Sequence, residues 1–549
     1  MTAAEGLLDV LQAAGIDTVF GLPGSTEAAL LEAVRDRDFR YVLALHEGVA
    51  VSMADGYGRV GGRPGTVGLH TSVGTLNGLS QMMNALRDGS PVLVTAGHKD
   101  RAVLSEEGFC ALPELLAAVR AVTKWAHQSL SSDAVATDVA HALRVATAPP
   151  TGPVYLAVPE DFLGAETATG AGAAVGLVTA PRVSAVASPE SVRAAVDLLV
   201  AAERPVLVVG SAARQAWPEV AALSRRLGLA VLHAQFTDLG DLQVPTSDRC
   251  YLGMYGEDRA PLEGCDLVVA AGCRLFYPFS DAQRPRLPEG AALVHLHDDP
   301  AEVGRVVRAD VGLLGDVRSG LAALLAELAG RDVDQDLLAR RAARVAALAA
   351  RRSEAKAAER AAAAGASPLR IEELAEVLGD VLPDDAVVVD EAVRSSRPLL
   401  RHLSLGPGQL LLRSTGGALG WGTPAAIGAK LAAPERAVVA VIGDGSFQFS
   451  VQALWSAVQQ SAAVTVLVLD NGGYLAVKRA IEGHIGIAHD LRRHPGTEIP
   501  GIDHGGIARG YGARSLWATD GESLRKAVTE GLESDRVTVV HVPVAQVRP

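Results

Sequence analysis

Several things are missing from this chain, and each absence removes a class of protein. Only four cysteines (Cys110, Cys250, Cys265 and Cys273) are spread over 549 residues, with no CxxC pair. Neither a disulfide framework nor a thiolate metal site is indicated, and free thiols in a reducing compartment are expected. No uninterrupted apolar run reaches the roughly 18 residues that a membrane-spanning helix needs. The opening MTAAEGLLDVLQAAGIDTVF has acidic residues and no basic start, so no secretory leader is indicated and a cytoplasmic protein is expected. Basic residues are outnumbered, 50 Lys and Arg against 63 Asp and Glu, for a net charge of −13. That balance argues against non-specific binding to nucleic acid or to an anionic membrane surface. What is present is a globular composition, 49% apolar and 21% charged, in a chain long enough for two to four domains.

Two stretches read as connections. Residues 163–190 (LGAETATGAGAAVGLVTAPRVSAVASPE) are rich in Ala, Gly and Thr without periodicity, and residues 330–367 begin as an exposed helix that AAAAGASP breaks. The cuts leave three blocks, 1–163, 190–329 and 366–549. Each alternates short Val/Ile/Leu runs with helical periodicity: GTVGLH and PVLVTAG, then RPVLVVG and DLVVAAG, then RAVVAVIGDG and VTVLVLDN. The pattern predicts three α/β domains, each a doubly wound parallel sheet. No internal sequence repeat is visible.

Two of these runs end alike. VVAVI leads to Gly443, Asp444, Gly445 and Ser446, and VTVLVL leads to Asp470, Asn471, Gly472 and Gly473. A helix over roughly 448–460 is expected between them. A right-handed crossover then brings both strand ends to one sheet edge, where open α/β sheets bind ligands. Asp444, Asn471 and bare backbone carbonyls are hard oxygen donors of the kind Mg²⁺ takes together with phosphates. Gly443, Gly445 and Ser446 lie where a helix start favours a phosphate. The alternative is an ordinary strand–helix turn with Asp444 as a cap.

The segment GDGSFQFS…DNGGY resembles the cofactor motif of thiamine-diphosphate-dependent enzymes. The resemblance implies that Asp444, Asn471 and the carbonyl of Gly473 hold Mg²⁺, with Tyr474 beside the cofactor. In GGALGWGTPAAIG it implies that Leu419 props the cofactor in a bent shape and that Gly417 offers a carbonyl to the aminopyrimidine. Glu47, after the strand YVLAL, matches the glutamate that protonates the pyrimidine ring; by itself it reads as a helix-start charge. HEGVA is no zinc HExxH motif, because Ala50 replaces the second histidine. The likeness narrows to the benzoylformate decarboxylases, within the group that includes acetolactate synthase and pyruvate decarboxylase, and it makes Ser25 and His70 substrate-facing residues. The three blocks would then be a pyrimidine-binding, a middle and a diphosphate-binding domain.

By this resemblance the reaction is a non-oxidative decarboxylation of a 2-oxo acid to an aldehyde through a ylide and an enamine. His70 would be the acid/base and Ser25 the anchor. A carboligase or C–C lyase using the same enamine is the second reading. Phe279 stands where that family has a second histidine, which favours the carboligase. Phe276 and Phe279 are expected to line the substrate pocket. In the family, pyrimidine and diphosphate sites belong to different chains, so a homodimer or homotetramer is implied. No GxGxxG accompanies RPVLVVGSAARQ, which weighs against FAD. The basic segment 478–494, with Lys478, Arg479, His484, His489, Arg492, Arg493 and His494, is either a solvated loop or a lid that steers an anionic substrate.

Overall fold

A computed structural model describes residues 1–546 apart from 36, 169, 180–184, 243, 279–285 and 486–494. Its strands form three six-stranded parallel sheets flanked by helices. The first contains β1 (Thr18–Leu22), β2 (Arg40–Leu43), β3 (Gly65–His70), β4 (Val92–His98), β5 (Trp125–Gln128) and β6 (Val154–Pro159). Their spatial order is β2-β1-β3-β4-β6-β5. The second contains β7 (Pro205–Val209), β8 (Ala230–His233), β9 (Tyr251–Met254), β10 (Leu267–Ala271), β11 (Ala292–His297) and β12 (Val311–Leu314), in the order β12-β11-β10-β7-β8-β9. The third contains β13 (Val387–Glu391), β14 (Leu410–Leu412), β15 (Val438–Gly443), β16 (Thr465–Asp470), β17 (Arg514–Trp517) and β18 (Thr538–Pro543). Its order, β14-β13-β15-β16-β18-β17, repeats that of the first sheet strand for strand. In both, the winding reverses between the first and third strands, the crevice where such sheets bind ligands.

By packing, the chain divides into two units: Met1–Arg182 with Val387–Ser395 and Gly416–Pro549, and Val183–Ala386 with Ser396–Thr415. The central strands are buried on both faces, which is why they read as continuous Val/Ile/Leu/Ala runs. Within the first unit, helix Glu47–Gly61 crosses helix Gly422–Ala432 closely enough that only glycine fits at two points. A Cβ on Gly56 would lie 2.1 Å from the Ala425 carbonyl oxygen, and one on Gly428 would lie 1.9 Å from that of Met53. The crossing is tied by Trp421, whose indole N–H donates to Asp55 Oδ2 at 2.7 Å. Asp55 and Asp88 in turn hold the buried Arg59 guanidinium at 2.9 and 2.5 Å, so the desolvated charge is paired on both sides.

Two local expectations need correction. The helix predicted over 448–460 is two short helices, Asp444–Gln448 and Ala453–Gln459. Winding starts at Asp444 itself, directly after the strand, and a turn interrupts it. The connection 163–190 contains a helix, Gly172–Val178, whose Ala174 packs into the first-sheet core. The long helix Gln335–Ala363 of the second unit is largely exposed, except that Arg341 is buried, donating to the carbonyls of Leu199, Val200 and Leu227.

Candidate active site

At the edge of the third sheet, β15 and β16 run in register with Gly443 opposite Leu469, so their polar ends fall side by side. Asp444 is buried, and its two carboxylate oxygens accept from the N–H groups of Gly445 at 2.9 Å and Gly473 at 2.8 Å. The second bond spans 29 residues of sequence. Gly473 has φ +138°, and a Cβ there would strike the Thr497 carbonyl, so glycine is required for the loop to close over Asp444. The Gly473 carbonyl accepts from Leu475 N–H at 2.9 Å. The ring of Tyr474 packs against Gly445, leaving no room for a side chain there. Oδ1 of Asn471 is buried and meets no hydrogen-bond partner among the described residues. Such an orphan acceptor is costly unless something electropositive completes it. A hard divalent cation fits this donor set.

Burial, aided by the neighbouring carboxylate of Asp470, pushes the Asp444 carboxyl up to about 6, against the pull of its two backbone donors. Asp470 moves the other way, to about 2, chiefly because His541 Nε2 lies 2.8 Å from its Oδ2. His504 is close by, and burial lowers its pKa.

The segment 416–422 carries Gly417 and Leu419. Gly417 adopts φ +83°, the left-handed region, with nothing within 4 Å of the space a Cβ would fill. Helix Thr71–Arg87 pins this strap: Gln81 donates to the Leu419 carbonyl at 3.0 Å, and Asn84 exchanges bonds of 2.9 and 3.1 Å with Ala418. From the other side, Glu391 at the end of β13 accepts from the backbone N–H groups of Gly420, Trp421 and Gly422. Desolvation pushes its carboxyl up to about 7, against the pull of these three donors. Sequence reading missed Gln81, Asn84 and Glu391. The one signal available was the polar DE that ends the apolar run VVVDE.

At the matching edge of the first sheet, Glu47 opens helix Glu47–Gly61, with His46 as its cap accepting from Gly48 N–H. The Glu47 side chain is buried, receives a bond from Asn77 Nδ2 at 3.0 Å and lies against Gly74. Among the described residues its side-chain hydrogen-bond partner is Asn77. Ser25 begins the short turn after β1 and is exposed. His70 ends β3, and its Nδ1 lies 2.9 Å from Thr26 Oγ1 and 3.2 Å from Glu27 Oε2. A Cβ on Gly24 would lie 2.2 Å from that same nitrogen, so glycine is what lets the loop and ring meet. Glu27, 2% exposed, also accepts from the N–H groups of Gly24 and Gly97. Burial raises its pKa despite those bonds. Glu27 was missed because PGSTE looks like any polar turn.

Of the two predicted pocket aromatics, Phe276 is among the described residues. Phe276 belongs to the core of the second unit, its ring edge-on to Tyr255 at 6.0 Å and 2% exposed. In the second unit this ring is used for packing. Phe279 lies outside the described residues. So do His489, Arg492, Arg493 and His494 of the basic segment, and the side chain of His484. Of the remainder, Lys478 is buried and Arg479 pairs with Glu482. Among the described residues, no helix is long and apolar enough to cross a membrane.

Three family models match the chain: the N-terminal thiamine pyrophosphate-binding domain over residues 1–128, the central domain of the same enzymes over 192–324 and their C-terminal thiamine pyrophosphate-binding domain over 396–542. The chain is 34% identical to a benzoylformate decarboxylase of Pseudomonas aeruginosa over the full length of both. It is 27% identical to a probable acetolactate synthase large subunit of Methanocaldococcus jannaschii, covering 86% of this chain and 80% of that one. A solved thiamine diphosphate-dependent 4-hydroxybenzoylformate decarboxylase of Rhodococcus jostii superposes with a TM-score of 0.87 at 30% identity, covering all of both chains. With the donor set and the three sheets, these matches lead to one conclusion: the chain belongs to the thiamine-diphosphate-dependent enzyme family and is a decarboxylase-type member similar to benzoylformate decarboxylase.

Proposed function

We propose that the protein decarboxylates a 2-oxo acid with an aromatic or otherwise bulky side chain and releases the aldehyde without oxidation. The observation that carries this reading is the buried, unpartnered Oδ1 of Asn471, two residues before the Gly473 whose N–H meets the Asp444 carboxylate. Asp444, Asn471 and the carbonyl of Gly473 would hold Mg²⁺ and, through it, a diphosphate bordered by Gly443, Gly445, Ser446 and Tyr474. Gly417 and Leu419 would hold the aminopyrimidine end on a strap fixed by Gln81, Asn84 and Glu391. When bound, thiamine diphosphate supplies a cationic ring that accepts the electron pair left behind as CO₂ departs. Glu47 would hold and move a proton at its carboxyl, which Asn77 keeps oriented. His70 moves a proton at Nε2, its Nδ1 being engaged by Thr26 and Glu27. Ser25, exposed at the turn after β1, anchors the substrate carboxylate. By the family resemblance, in which the pyrimidine and diphosphate sites come from different chains, the site is read as completed by a second copy, in a homodimer or homotetramer.

An aromatic substrate is supported by the names of the benzoylformate and 4-hydroxybenzoylformate decarboxylases that the chain resembles. Carboligation is the second reading, favoured by the likeness to an acetolactate synthase. One experiment separates them. Purified protein is incubated with thiamine diphosphate, Mg²⁺ and a panel of 2-oxo acids, with and without an acceptor aldehyde. CO₂ with free aldehyde from aromatic acids supports decarboxylation, ketol as the main product supports carboligation, and no turnover across the panel rejects both.

A further inference from the structure

One cluster at the third-sheet edge has no part in this function. Asp470 ends β16, His541 lies on the neighbouring strand β18, and His504 is the first residue of helix His504–Gly510. One oxygen and two ring nitrogens from these side chains all lie within 4.8 Å of one another. Both histidines are buried, whereas the Asp470 side chain is 30% exposed, which leaves the cluster an opening to solvent. The two imidazoles meet edge-to-face with centroids 5.1 Å apart. Outer contacts already orient them: Gln448 reaches His504 Nδ1 at 3.2 Å, and Trp517 lies against His541. Gly472 N–H occupies the other oxygen of Asp470.

We infer that Asp470, His504 and His541 form a second metal site, taking a borderline divalent transition ion such as Zn²⁺ or Co²⁺. Two imidazoles and one carboxylate select such ions, whereas the all-oxygen group at Asp444 and Asn471 selects Mg²⁺. Only small side-chain rotations are needed to bring the three atoms around an ion at about 2.0–2.2 Å. The ion would replace the direct bond between Asp470 and His541. Gln448 Nε2 donates to His504 Nδ1 at 3.2 Å; with the amide turned over, its oxygen would accept from that nitrogen, the outer partner that metal-bound histidines use. Bound there, the ion joins β16, β18 and the helix at His504. The inference does not depend on the proposed reaction.

The test uses chelator-treated Asp444→Ala protein, in which the oxygen site is disabled, titrated with Co²⁺. One Co²⁺ per chain with visible absorption bands is expected, and His504→Gln or His541→Gln in that background weakens binding by at least about tenfold. Equal binding in those variants, or no saturable binding in Asp444→Ala, overturns the site and leaves a hydrogen-bonded cluster. In case the variants fold poorly, one equivalent of Cu²⁺ is added to the unaltered protein and examined by electron paramagnetic resonance. Hyperfine coupling to two imidazole nitrogens is expected, and an oxygen-only spectrum overturns the inference. Thiamine diphosphate binding by wild-type protein, measured separately, reports on the proposed function alone.

Discussion

Oε2 of Glu27 lies 3.2 Å from Nδ1 of His70, across 43 residues of sequence, in a pocket where the carboxylate is almost fully buried. One edge of the imidazole is thereby fixed inside the fold, while the side chain remains 26% exposed. Glu27→Gln keeps the shape but replaces an acceptor with an amide, so the ring loses its preferred tautomer. The expected outcome is a drop in kcat of about 10- to 100-fold with KM little changed, together with a displaced pH–rate profile. A thermal midpoint that falls while kcat and the profile stay put would assign Glu27 to stability only.

Glu47→Gln should leave the cofactor bound and reduce turnover by at least about 100-fold. The check is isothermal titration with thiamine diphosphate and Mg²⁺ alongside steady-state rates. Near-normal turnover would remove Glu47 from proton exchange.

Asp444→Ala should abolish retention of thiamine diphosphate through gel filtration, because both the cation's carboxylate and the closure of the Gly473 loop are lost. Retention at wild-type stoichiometry would contradict the assigned role.

The Glu391 carboxyl, raised to about 7 by burial, makes a sign-specific prediction. Its folded pKa lies above the unfolded value of about 4.3, so the folded state binds the proton more tightly. The stability it contributes is complete below about pH 4, declines as pH rises and is gone above about pH 7. Thermal midpoints measured from pH 4.5 to 8 should therefore fall more in wild type than in Glu391→Gln. Parallel curves for the two proteins would mean that the three backbone donors hold Glu391 ionised throughout.

Gly428→Ala should lower stability by more than about 1–3 kcal/mol, because the added methyl would sit 1.9 Å from a backbone carbonyl that cannot move aside. The loss should appear in thermal melts before any change in KM.

The parallel sheets were legible because strands buried on both faces leave long Val/Ile/Leu runs, and Asp444 and Asn471 stood out as polar residues where such runs stop. The side chains that hold the site were not legible. Gln81, Asn84 and Glu391 act on backbone that is remote in sequence (Gln81 bonds Leu419 across 338 residues), and nothing local distinguishes them from ordinary helix or strand-end residues. The helix start was misjudged because Asp444 was read as the end of a strand when it also begins a helix. The burial of Phe276 was not legible either, because an aromatic in a loop-like stretch can turn inward, here with φ +67°.

The shared winding of the first and third sheets has a consequence for how the two rims are used. Strand for strand, β3 corresponds to β15, so His70 and Gly443 occupy equivalent stations, and β1 corresponds to β13, which matches Leu22 with Glu391. One scaffold is thus deployed twice, once ending in the imidazole of His70 and once leading, one residue on, to the carboxylate of Asp444. The difference between the two rims lies in the few residues that follow each strand, and the frame beneath them is common property.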